Sequence, residues 1–338
     1  MKKYRTLFLT HRGLRHQKDA IDAAPDELDI VMLRDPDKAE LLKHLPEAEF
    51  LITERSGEID KEMIAAGKKL RLIQRLGSQT WDMDVAAARK SGIPVCYWPV
   101  WTTIMVAEHM ILQILAVLKR AKEMMYIAEM AEDWGKPPKL CDEDYFAYNW
   151  SEREEIKGLY QSTVGILGFG EIGVEMARRL KPYGCTILYN KRNRLPAAAE
   201  QDLELQYATM DEITEQSDVV CSLLPYYPET VLSLGVEFFQ KMKEGAVFVH
   251  CGAGGVIDED ALIEAIRTDH LGGAALDTFN WEPLRADDPL LELARDPMVN
   301  LILTPHVAAG SPSTEHGRKQ DYTNLLAVLE GKPLKFQL

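Results

Sequence analysis

The sequence predicts an α/β protein built from two parallel-sheet domains. The chain has 338 residues, more than a single hydrophobic core usually serves, so two domains are expected. Short apolar runs alternate with segments of helical spacing, which is typical of parallel strands joined by helical crossovers. A second series of the same kind begins at Ser162. We therefore expect two domains joined by long helices, with a cleft between them.

The first series occupies about the first hundred residues. Its predicted strands are short apolar runs, and its predicted helices have apolar residues three or four positions apart. The strands are predicted at residues 4–10, 30–33, 50–53, 70–76 and 93–97. The helices between them are predicted at residues 38–45, 61–67 and 83–92.

The middle of the chain contains two segments of unusual composition. Residues 104–125 are expected to form one long helix with almost no polar face, and such a helix must be buried against a second domain or a second subunit. Its most apolar part, residues 104–118, is shorter than the roughly 20 residues of a membrane span, so no membrane partner is expected. Residues 133–160 are rich in aromatic residues, Gly and Pro. They predict either an irregular crossover on the surface or an aromatic flap over a binding site.

The second series supplies six further predicted strands. They are residues 163–167, 186–190, 219–223, 246–251, 273–276 and 301–303. Residues 317–329 are predicted to form a helix that returns to the first domain. We therefore expect a discontinuous substrate domain, residues 1–103 and 310–338, and a dinucleotide-binding domain, residues 104–309.

Charge and cysteine content disfavour several classes of function. The formal net charge of −14 argues against a nucleic-acid partner, because phosphate binding needs a basic surface. The start of the chain lacks the basic segment and apolar core of a signal peptide. Five cysteines are scattered without the paired spacing of a metal site. We expect reduced thiols, no bound metal and a cytoplasmic location.

The most informative motif is a glycine-rich turn after the predicted strand at residues 163–167. It matches G-x-G-x-x-G, and a helix and a second strand complete a βαβ unit around it. Gly168 would allow the tight turn, Gly170 the approach of a pyrophosphate, and Gly173 the close packing of helix on strand. The pyrophosphate would lie at the positive end of the helix. We expect Rossmann-like or flavodoxin-like sheets, with a cofactor-binding turn comprising Gly168, Phe169, Gly170, Glu171, Ile172 and Gly173.

The end of the second strand of that unit bears on the choice of dinucleotide. An NAD site usually has an Asp or Glu there that holds the 2′-hydroxyl of the ribose. This chain instead has Asn190, Lys191 and Arg192, followed by Arg194. The three cations could hold a 2′-phosphate by charge-assisted hydrogen bonds, or the basic turn is simply solvated. We favour NADP over NAD.

From about Leu72 to its end, the chain contains an ordered series of short motifs. They are residues 82–88 with 91–95, 106–109, 217–220, 224–225 with 228–230, 275–277, 281–284 and 303–306. In these motifs and their order, which cover most of the chain, the sequence resembles the D-isomer-specific 2-hydroxyacid dehydrogenases. The first 70 residues match only in pattern.

The resemblance implies hydride transfer between a nicotinamide cofactor and a 2-oxo or 2-hydroxy acid, with His306 and Glu282 as the proton-transfer pair. Histidine suits this role because it titrates near neutral pH, and a carboxylate orients its ring. The resemblance also places Asp277 at the nicotinamide carboxamide and, with the apolar helix, implies a homodimer. His109 is expected to be packed, without a catalytic role. Further residues expected to border the cofactor are Leu224, Pro225, Cys251, Gly252 and Ala253.

The chain departs from the family at one position. The family has an arginine that grips the substrate carboxylate, in a segment reading Asn-x-x-Arg-Gly. The corresponding residues 250–255 place Ala253 where that arginine belongs. Alanine cannot make the forked hydrogen bonds of a guanidinium, so both substrate class and activity depend on what replaces it.

Three explanations of Ala253 remain open. In the first, Arg55 or Arg12, each of which follows a first-domain strand, holds the carboxylate. The loop Gly77, Ser78 and Gln79 would assist, because it resembles the family segment whose N–H groups bind a carboxylate. In the second, the substrate is a carbonyl compound without the usual acid group. In the third, the chain is a catalytically weak or inactive NADP-binding regulatory or sensor protein.

The retained His–Glu pair favours an enzyme. We therefore expect an NAD(P)-dependent oxidoreductase that acts on a small 2-oxo or 2-hydroxy acid or a related carbonyl compound.

Overall fold

The computed structural model describes residues 3–55, 57–130, 137–311 and 317–338. The chain divides into two compact units. The first unit is Met1–Ile104 with Ser311–Leu338, and the second is Met105–Gly310. Each unit contains one sheet whose strands are all parallel. The predicted α/β fold with two parallel sheets is confirmed.

The described elements are as follows. The strands are β1 (Tyr4–Thr10), β2 (Leu28–Arg34), β3 (Phe50–Glu54), β4 (Leu72–Leu76), β5 (Val95–Trp98), β6 (Thr163–Leu167), β7 (Thr186–Asn190), β8 (Leu205–Tyr207), β9 (Val219–Ser222), β10 (Ala246–His250), β11 (Leu271–Leu276) and β12 (Leu301–Leu303). The α-helices are α1 (Leu14–Asp22), α2 (Lys38–His44), α3 (Lys61–Ala66), α4 (Val85–Lys90), α5 (Trp101–Leu118), α6 (Ala121–Met130), α7 (Glu171–Leu180), α8 (Ala197–Leu203), α9 (Met210–Gln216), α10 (Val236–Lys241), α11 (Glu259–Arg267), α12 (Pro289–Arg295) and α13 (Thr323–Glu330).

The sheet of the first unit has the strand order β2-β1-β3-β4-β5, which is the flavodoxin-like order. Alternate residues of its strands are buried on opposite faces, as a sheet covered on both sides requires. Leu7 and Leu9 belong to one core cluster, and Phe8 belongs to the other. The second cluster also contains Tyr322, which lies directly before α13. The C-terminal segment therefore completes the core of the first unit.

Three helices of the first unit begin where an aspartate caps them. The side chains of Asp37, Asp60 and Asp84 accept hydrogen bonds from the backbone N–H groups in the first turns of α2, α3 and α4. The sequence analysis did not predict α1. Its residues are mostly polar and only Ala20 is fully buried, so it lacks the apolar stripe by which helices are predicted.

The sheet of the second unit has the strand order β12-β11-β10-β9-β6-β7-β8. Relative to the first strand of the unit, β6, this is the Rossmann order, and the order reverses between β6 and β9. Ligands of open α/β sheets bind at the carboxyl ends of the strands beside such a reversal. The short edge strand β8 was not predicted.

The prediction of a single helix at residues 104–125 is wrong. The helix α5 ends at Leu118 and α6 begins at Ala121, because Arg120 adopts a φ of 49°, which a right-handed helix does not accommodate. Its guanidinium pairs with the buried Glu123 in the first turn of α6. Among the described residues, α5 is the one helix long and apolar enough to cross a membrane, and 44% of it is buried. Leu112 is 62% exposed, so burial within this chain alone does not cover the helix.

The aromatic-rich segment is irregular where it is described. Residues 137–160 form neither helix nor strand, and Phe146 and Tyr148 are exposed. Trp134 and Gly135 lie outside the described residues.

His250 ends β10 with a fully buried side chain stacked on Phe248. Burial lowers the pKa of His250 to about 3, so the folded protein keeps this imidazole neutral at neutral and mildly acidic pH. In the unfolded chain the same group takes up a proton near pH 6.5. As the pH falls below that value, the unfolded state therefore binds more protons than the folded state.

We expect the His250→Asn variant to lose this pH dependence. Between pH 6.5 and pH 4, His250 should cost the wild-type protein about 1.4 kcal/mol of unfolding free energy per pH unit. Urea unfolding of both proteins at pH 7.5 and pH 5.5 measures the difference, with His44→Asn as a control for the loss of a histidine. If the free energy of unfolding changed equally with pH in the wild type and in His250→Asn, the imidazole of His250 would not be buried in its neutral form.

Candidate active site

The glycine-rich turn joins β6 to α7 at the reversal of strand order. Gly168 has a φ of 83°, and a Cβ at this position would lie 2.6 Å from the carbonyl oxygen of Leu223, so the turn requires glycine. The N–H groups of Gly168 and Phe169 both donate to the carbonyl of Asn190. The neighbouring β7 therefore holds the turn in place.

The residues that follow open the first turn of α7 to a ligand. A Cβ on Gly170 would meet nothing within 4 Å, whereas a Cβ on Gly173 would lie 2.9 Å from the ring of Phe169. Gly170 caps α7 without a side-chain hydrogen bond in the described part of the chain. Backbone N–H groups and the positive helix end are thus left for an anion, which fits the pyrophosphate of a dinucleotide. Glu171 is buried and Ile172 is half-buried in this first turn.

The cations of the basic turn after β7 differ in whether a carboxylate pairs with them. Arg194 makes two hydrogen bonds to Glu200, of 2.7 and 2.8 Å, and Glu200 also accepts from Tyr189. Arg194 is therefore occupied by an ion pair, contrary to the expectation that all three cations are open to a phosphate.

The remaining polar groups of this turn behave differently. Arg192 is exposed, and its guanidinium lies 5.2 Å from the centroid of the Tyr227 ring. The side-chain amide of Asn190 donates to the carbonyl of Ala208 at 2.8 Å, and Lys191 is half-buried beside it. Arg192 is thus the more exposed cation at the end of β7.

The loops after β9 and β10 lie against each other. The N–H of Ala253 donates to the carbonyl of Leu224, and a Cβ on Gly252 would lie 2.7 Å from that same oxygen. Pro225 follows directly in the chain. Cys251 donates its thiol hydrogen to Oε1 of Gln113 at 3.4 Å, and burial raises the pKa of this thiol, so it stays protonated. The predicted cofactor-bordering residues therefore form one continuous backbone surface.

His306 and Glu282 are brought together as a hydrogen-bonded pair. His306 Nδ1 lies 2.7 Å from Glu282 Oε2, and the other carboxylate oxygen of Glu282 accepts the N–H of Phe279 at 3.1 Å. Because a carboxylate only accepts, Nδ1 carries the proton. The His306 side chain is 58% exposed. Its Nε2 is therefore left to exchange a proton with a ligand.

A buried carboxylate holds the loop that carries His306. Both oxygens of Asp277 are engaged: Oδ1 accepts the Thr304 hydroxyl at 2.6 Å and the Val307 N–H at 3.0 Å, and Oδ2 accepts the Ala308 N–H at 2.8 Å. His306 itself adopts a φ of 52°, which is uncommon for a residue other than glycine. Asp277 thus stabilises an unusual backbone conformation. Its predicted contact with the cofactor stays a prediction.

Two residues of α5 extend this network, and the sequence analysis did not foresee them. His109 Nε2 lies 3.1 Å and Gln113 Nε2 lies 3.2 Å from the hydroxyl oxygen of Thr304. Since Thr304 donates its own hydrogen to Asp277, this oxygen accepts from both and is saturated. His109 is therefore hydrogen-bonded as well as packed. The contact joins residues 195 positions apart, which no local pattern reveals.

The predicted substrate loop of the first unit is tightly held. The N–H of Gly77 donates to the carbonyl of Trp98 at 2.8 Å, so it is not available to a ligand. Ser78 and Gln79 are buried. The fully buried Arg75 pairs with Asp82 at 2.6 Å and donates to the carbonyl of Gly57. This ion pair ties the loop after β4 to the loop after β3.

Arg55 follows β3 and lines a cavity of about 240 Å³ at the carboxyl ends of the strands of the first unit. Its φ is 68°, and its N–H donates to the carbonyl of Leu76 at 2.6 Å. Arg12 lines the same cavity. The two arginines considered as replacements for the missing one thus share one cavity.

We expect the isosteric substitution Thr304→Val to destabilise the second unit. The substitution would remove the hydrogen bond from the Thr304 hydroxyl to Asp277 and would leave His109 and Gln113 of α5 without their acceptor. For buried groups of this kind we expect the free energy of unfolding to fall by about 3 kcal/mol. Urea unfolding measures the change. Thr304→Ser keeps the hydroxyl and should retain most of the stability, whereas equal stability of Val and wild type would show that the network contributes nothing.

Comparison with known proteins identifies the family. Residues 117–308 match the model of the D-isomer-specific 2-hydroxyacid dehydrogenase, NAD-binding domain. A glyoxylate/hydroxypyruvate reductase B from Erwinia tasmaniensis is 32% identical over 278 residues, which cover 82% of this chain and 81% of that protein. A D-3-phosphoglycerate dehydrogenase from Archaeoglobus fulgidus is 32% identical over 276 residues, or 81% of this chain. This chain spans about half the length of that relative, since the match covers 48% of it.

A solved structure agrees with these matches. The PH0520 protein from Pyrococcus horikoshii is 27% identical, with a TM-score of 0.57 over 99% of this chain and 95% of that chain. The motifs, the glycine-rich turn and the two sheets therefore have one common explanation. The chain belongs to the D-isomer-specific 2-hydroxyacid dehydrogenase family.

Proposed function

We propose that this chain is an NAD(P)-dependent oxidoreductase that reduces a 2-oxo acid to the 2-hydroxy acid. The observation that carries the proposal is the hydrogen-bonded pair of His306 and Glu282, whose imidazole is accessible to a ligand. A bound nicotinamide supplies the hydride. The groups described above on the glycine-rich turn would hold its pyrophosphate.

The histidine supplies the proton that the reaction needs. Hydride arriving at a carbonyl carbon leaves negative charge on the oxygen, and protonated Nε2 of His306 would donate to that oxygen. Glu282 holds Nδ1–H and orients the imidazole, so that Nε2 is the nitrogen left for the ligand. In the oxidation direction, the neutral imidazole would accept the hydroxyl proton.

Recognition of the substrate carboxylate needs a cation other than the missing arginine at position 253. We propose Arg55 for this role, because it lines a cavity at the strand ends where ligands of α/β sheets bind. A second candidate function follows from Ala253 itself. A chain that binds NADP without turnover, as a regulatory or sensor protein, would need no carboxylate grip.

We propose NADP as the preferred cofactor and a homodimer as the assembly. The exposed Arg192 and the neighbouring Lys191 support the first point, since a 2′-phosphate calls for cations at the end of β7. The exposed apolar side chains Leu112 and Met125 on α5 and α6 support the second. Their burial would remove apolar surface from water.

We expect NADPH-dependent reduction of glyoxylate, hydroxypyruvate or other 2-oxo acids, assayed beside aldehydes and ketones without a carboxylate. His306→Gln should lower kcat by about 10²- to 10⁴-fold while the Kd for NADPH stays within about twofold. His270→Gln, at a histidine bonded to the carbonyl of Phe239, is the matched control. Tight NADPH binding without turnover of any carbonyl compound would favour the sensor function instead.

We expect Arg192→Gln to weaken NADPH binding by about 10- to 100-fold and to leave NADH binding almost unchanged, because a charge-assisted phosphate contact is lost. Fluorescence titration with both dinucleotides measures the effect. Arg194→Gln is the control, since Arg194 is paired with Glu200 and should change the ratio of the two affinities little. Equal losses for both dinucleotides in Arg192→Gln would remove the basis for NADP preference.

A further inference from the structure

The cavity of the first unit is lined by three arginines, and two of them have no carboxylate within ion-pair distance among the described residues. We call it the arginine cavity. Its charged and titratable lining residues are Arg12, His16, Glu54, Arg55, Arg318 and Asp321.

One of its three arginines is neutralised within the chain. Arg318 lies 2.6 Å from Glu54 and 2.9 Å from Asp321. Glu54 also accepts the hydroxyl of Thr10. Although burial opposes its ionisation, Arg318 and Thr10 keep the pKa of Glu54 below its usual value. Arg318 therefore belongs to a structural ion pair at the wall of the cavity.

The other two arginines are not neutralised in this way. Arg12 donates to the ring of His16 at 2.8 Å, and burial together with Arg12 lowers the pKa of His16, so this partner is a neutral acceptor. Arg55 has no hydrogen-bond acceptor or carboxylate partner for its guanidinium among the described residues. Two arginines thus line the cavity without an ion-pair partner among the described residues, although the nearby charge of Glu54 acts to raise the pKa of Arg12.

The guanidinium of Arg55 is close enough to Arg12 to disfavour the charge of Arg12. Burial, followed by the charge of Arg55, lowers the pKa of Arg12. The backbone of Arg55 has an uncommon positive φ and is held by Leu76, and such conformations cluster at ligand sites. A cavity of about 240 Å³ has room for small anionic groups. An ion-pair partner for each of the two guanidiniums requires two anionic groups.

We propose that the substrate is a 2-oxo acid with a second anionic group, a carboxylate or a phosphate, and that Arg12 binds this second group while Arg55 binds the 2-oxo carboxylate. This inference rests on the proposed function. It narrows the substrate class from 2-oxo acids in general to dianionic ones.

The test compares substrates with and without the second charged group. The pairs are 2-oxoglutarate with 2-oxohexanoate and phosphohydroxypyruvate with hydroxypyruvate. We expect kcat/KM of the wild type to favour the dianionic member of at least one pair by about 100-fold, the size of a charged hydrogen-bonded contact. The favoured pair tells whether the second group is a carboxylate or a phosphate.

Arginine variants test which side chain is responsible for the preference for dianionic substrates. Arg12→Gln should reduce this preference about 10- to 100-fold, whereas Arg55→Gln should lower kcat/KM for both members of a pair. The exposed Arg15 of α1 provides the control Arg15→Gln, which should keep the preference. Thermal unfolding of each variant without ligand verifies that it is folded.

Two results would overturn the inference. Turnover of 2-oxo acids with equal kcat/KM for charged and uncharged partners, or a preference that Arg12→Gln leaves unchanged, would reject the dianionic substrate and leave the proposed function standing.

A binding measurement tests the dianion site if the protein shows no turnover. If no substrate turns over, stabilisation of the NADPH-loaded protein against heat by 2-oxoglutarate or phosphohydroxypyruvate, lost in Arg12→Gln, would support the dianion site and reject the proposed reduction. No stabilisation would reject both.

Discussion

The conformation of the candidate catalytic loop depends on the buried carboxylate of Asp277. A charged group without exposed surface is costly unless hydrogen bonds replace its hydration, and here a hydroxyl and two backbone N–H groups do so. Those groups belong to Thr304, Val307 and Ala308, which flank His306 on both sides. The same bonds that satisfy the carboxylate therefore force the intervening histidine into its positive-φ conformation. Burial of one charge thus places the imidazole.

The pairing of α5 with this loop extends the same principle. Thr304 has one hydrogen to donate and accepts two, so its partners Asp277, His109 and Gln113 are mutually dependent. Gln113 in turn accepts from the thiol of Cys251, two residues before Ala253. The helix α5, the loop that carries His306 and the segment at Cys251 are thus connected by one set of hydrogen bonds. A substitution at any one of them would disturb the hydrogen bonds of the others.

The resemblance to the family predicts an arginine at position 253, where this chain has alanine. Here Arg12 and Arg55 stand in a separate cavity of the first unit, beside an ion pair that neutralises Arg318. Charge that a chain keeps half-buried against mutual repulsion is costly without an anion. This balance underlies our proposal that the carboxylate grip has moved and that the substrate carries more than one charge.

The sequence by itself determined the fold class, the family and the glycine-rich turn. Alternating apolar periodicity and short motifs are local properties, and eleven of the described strands were placed by them to within a few residues. Local signals failed where they are weak or misleading. The polar α1 has few apolar residues. The break between α5 and α6 involves the pairing of Arg120 with Glu123, which a hydropathy pattern does not show.

Only the tertiary structure decided which polar side chains are available for chemistry. Arg192 and Arg194 lie two positions apart in one exposed basic turn, yet among the described residues only Arg194 is paired with Glu200. From the sequence His109 is predicted only to be packed, whereas in the folded protein it is hydrogen-bonded to Thr304. The physical reason is the same in each case: hydrogen bonds and ion pairs act over about 3 Å, and folding sets such distances between residues far apart in the chain.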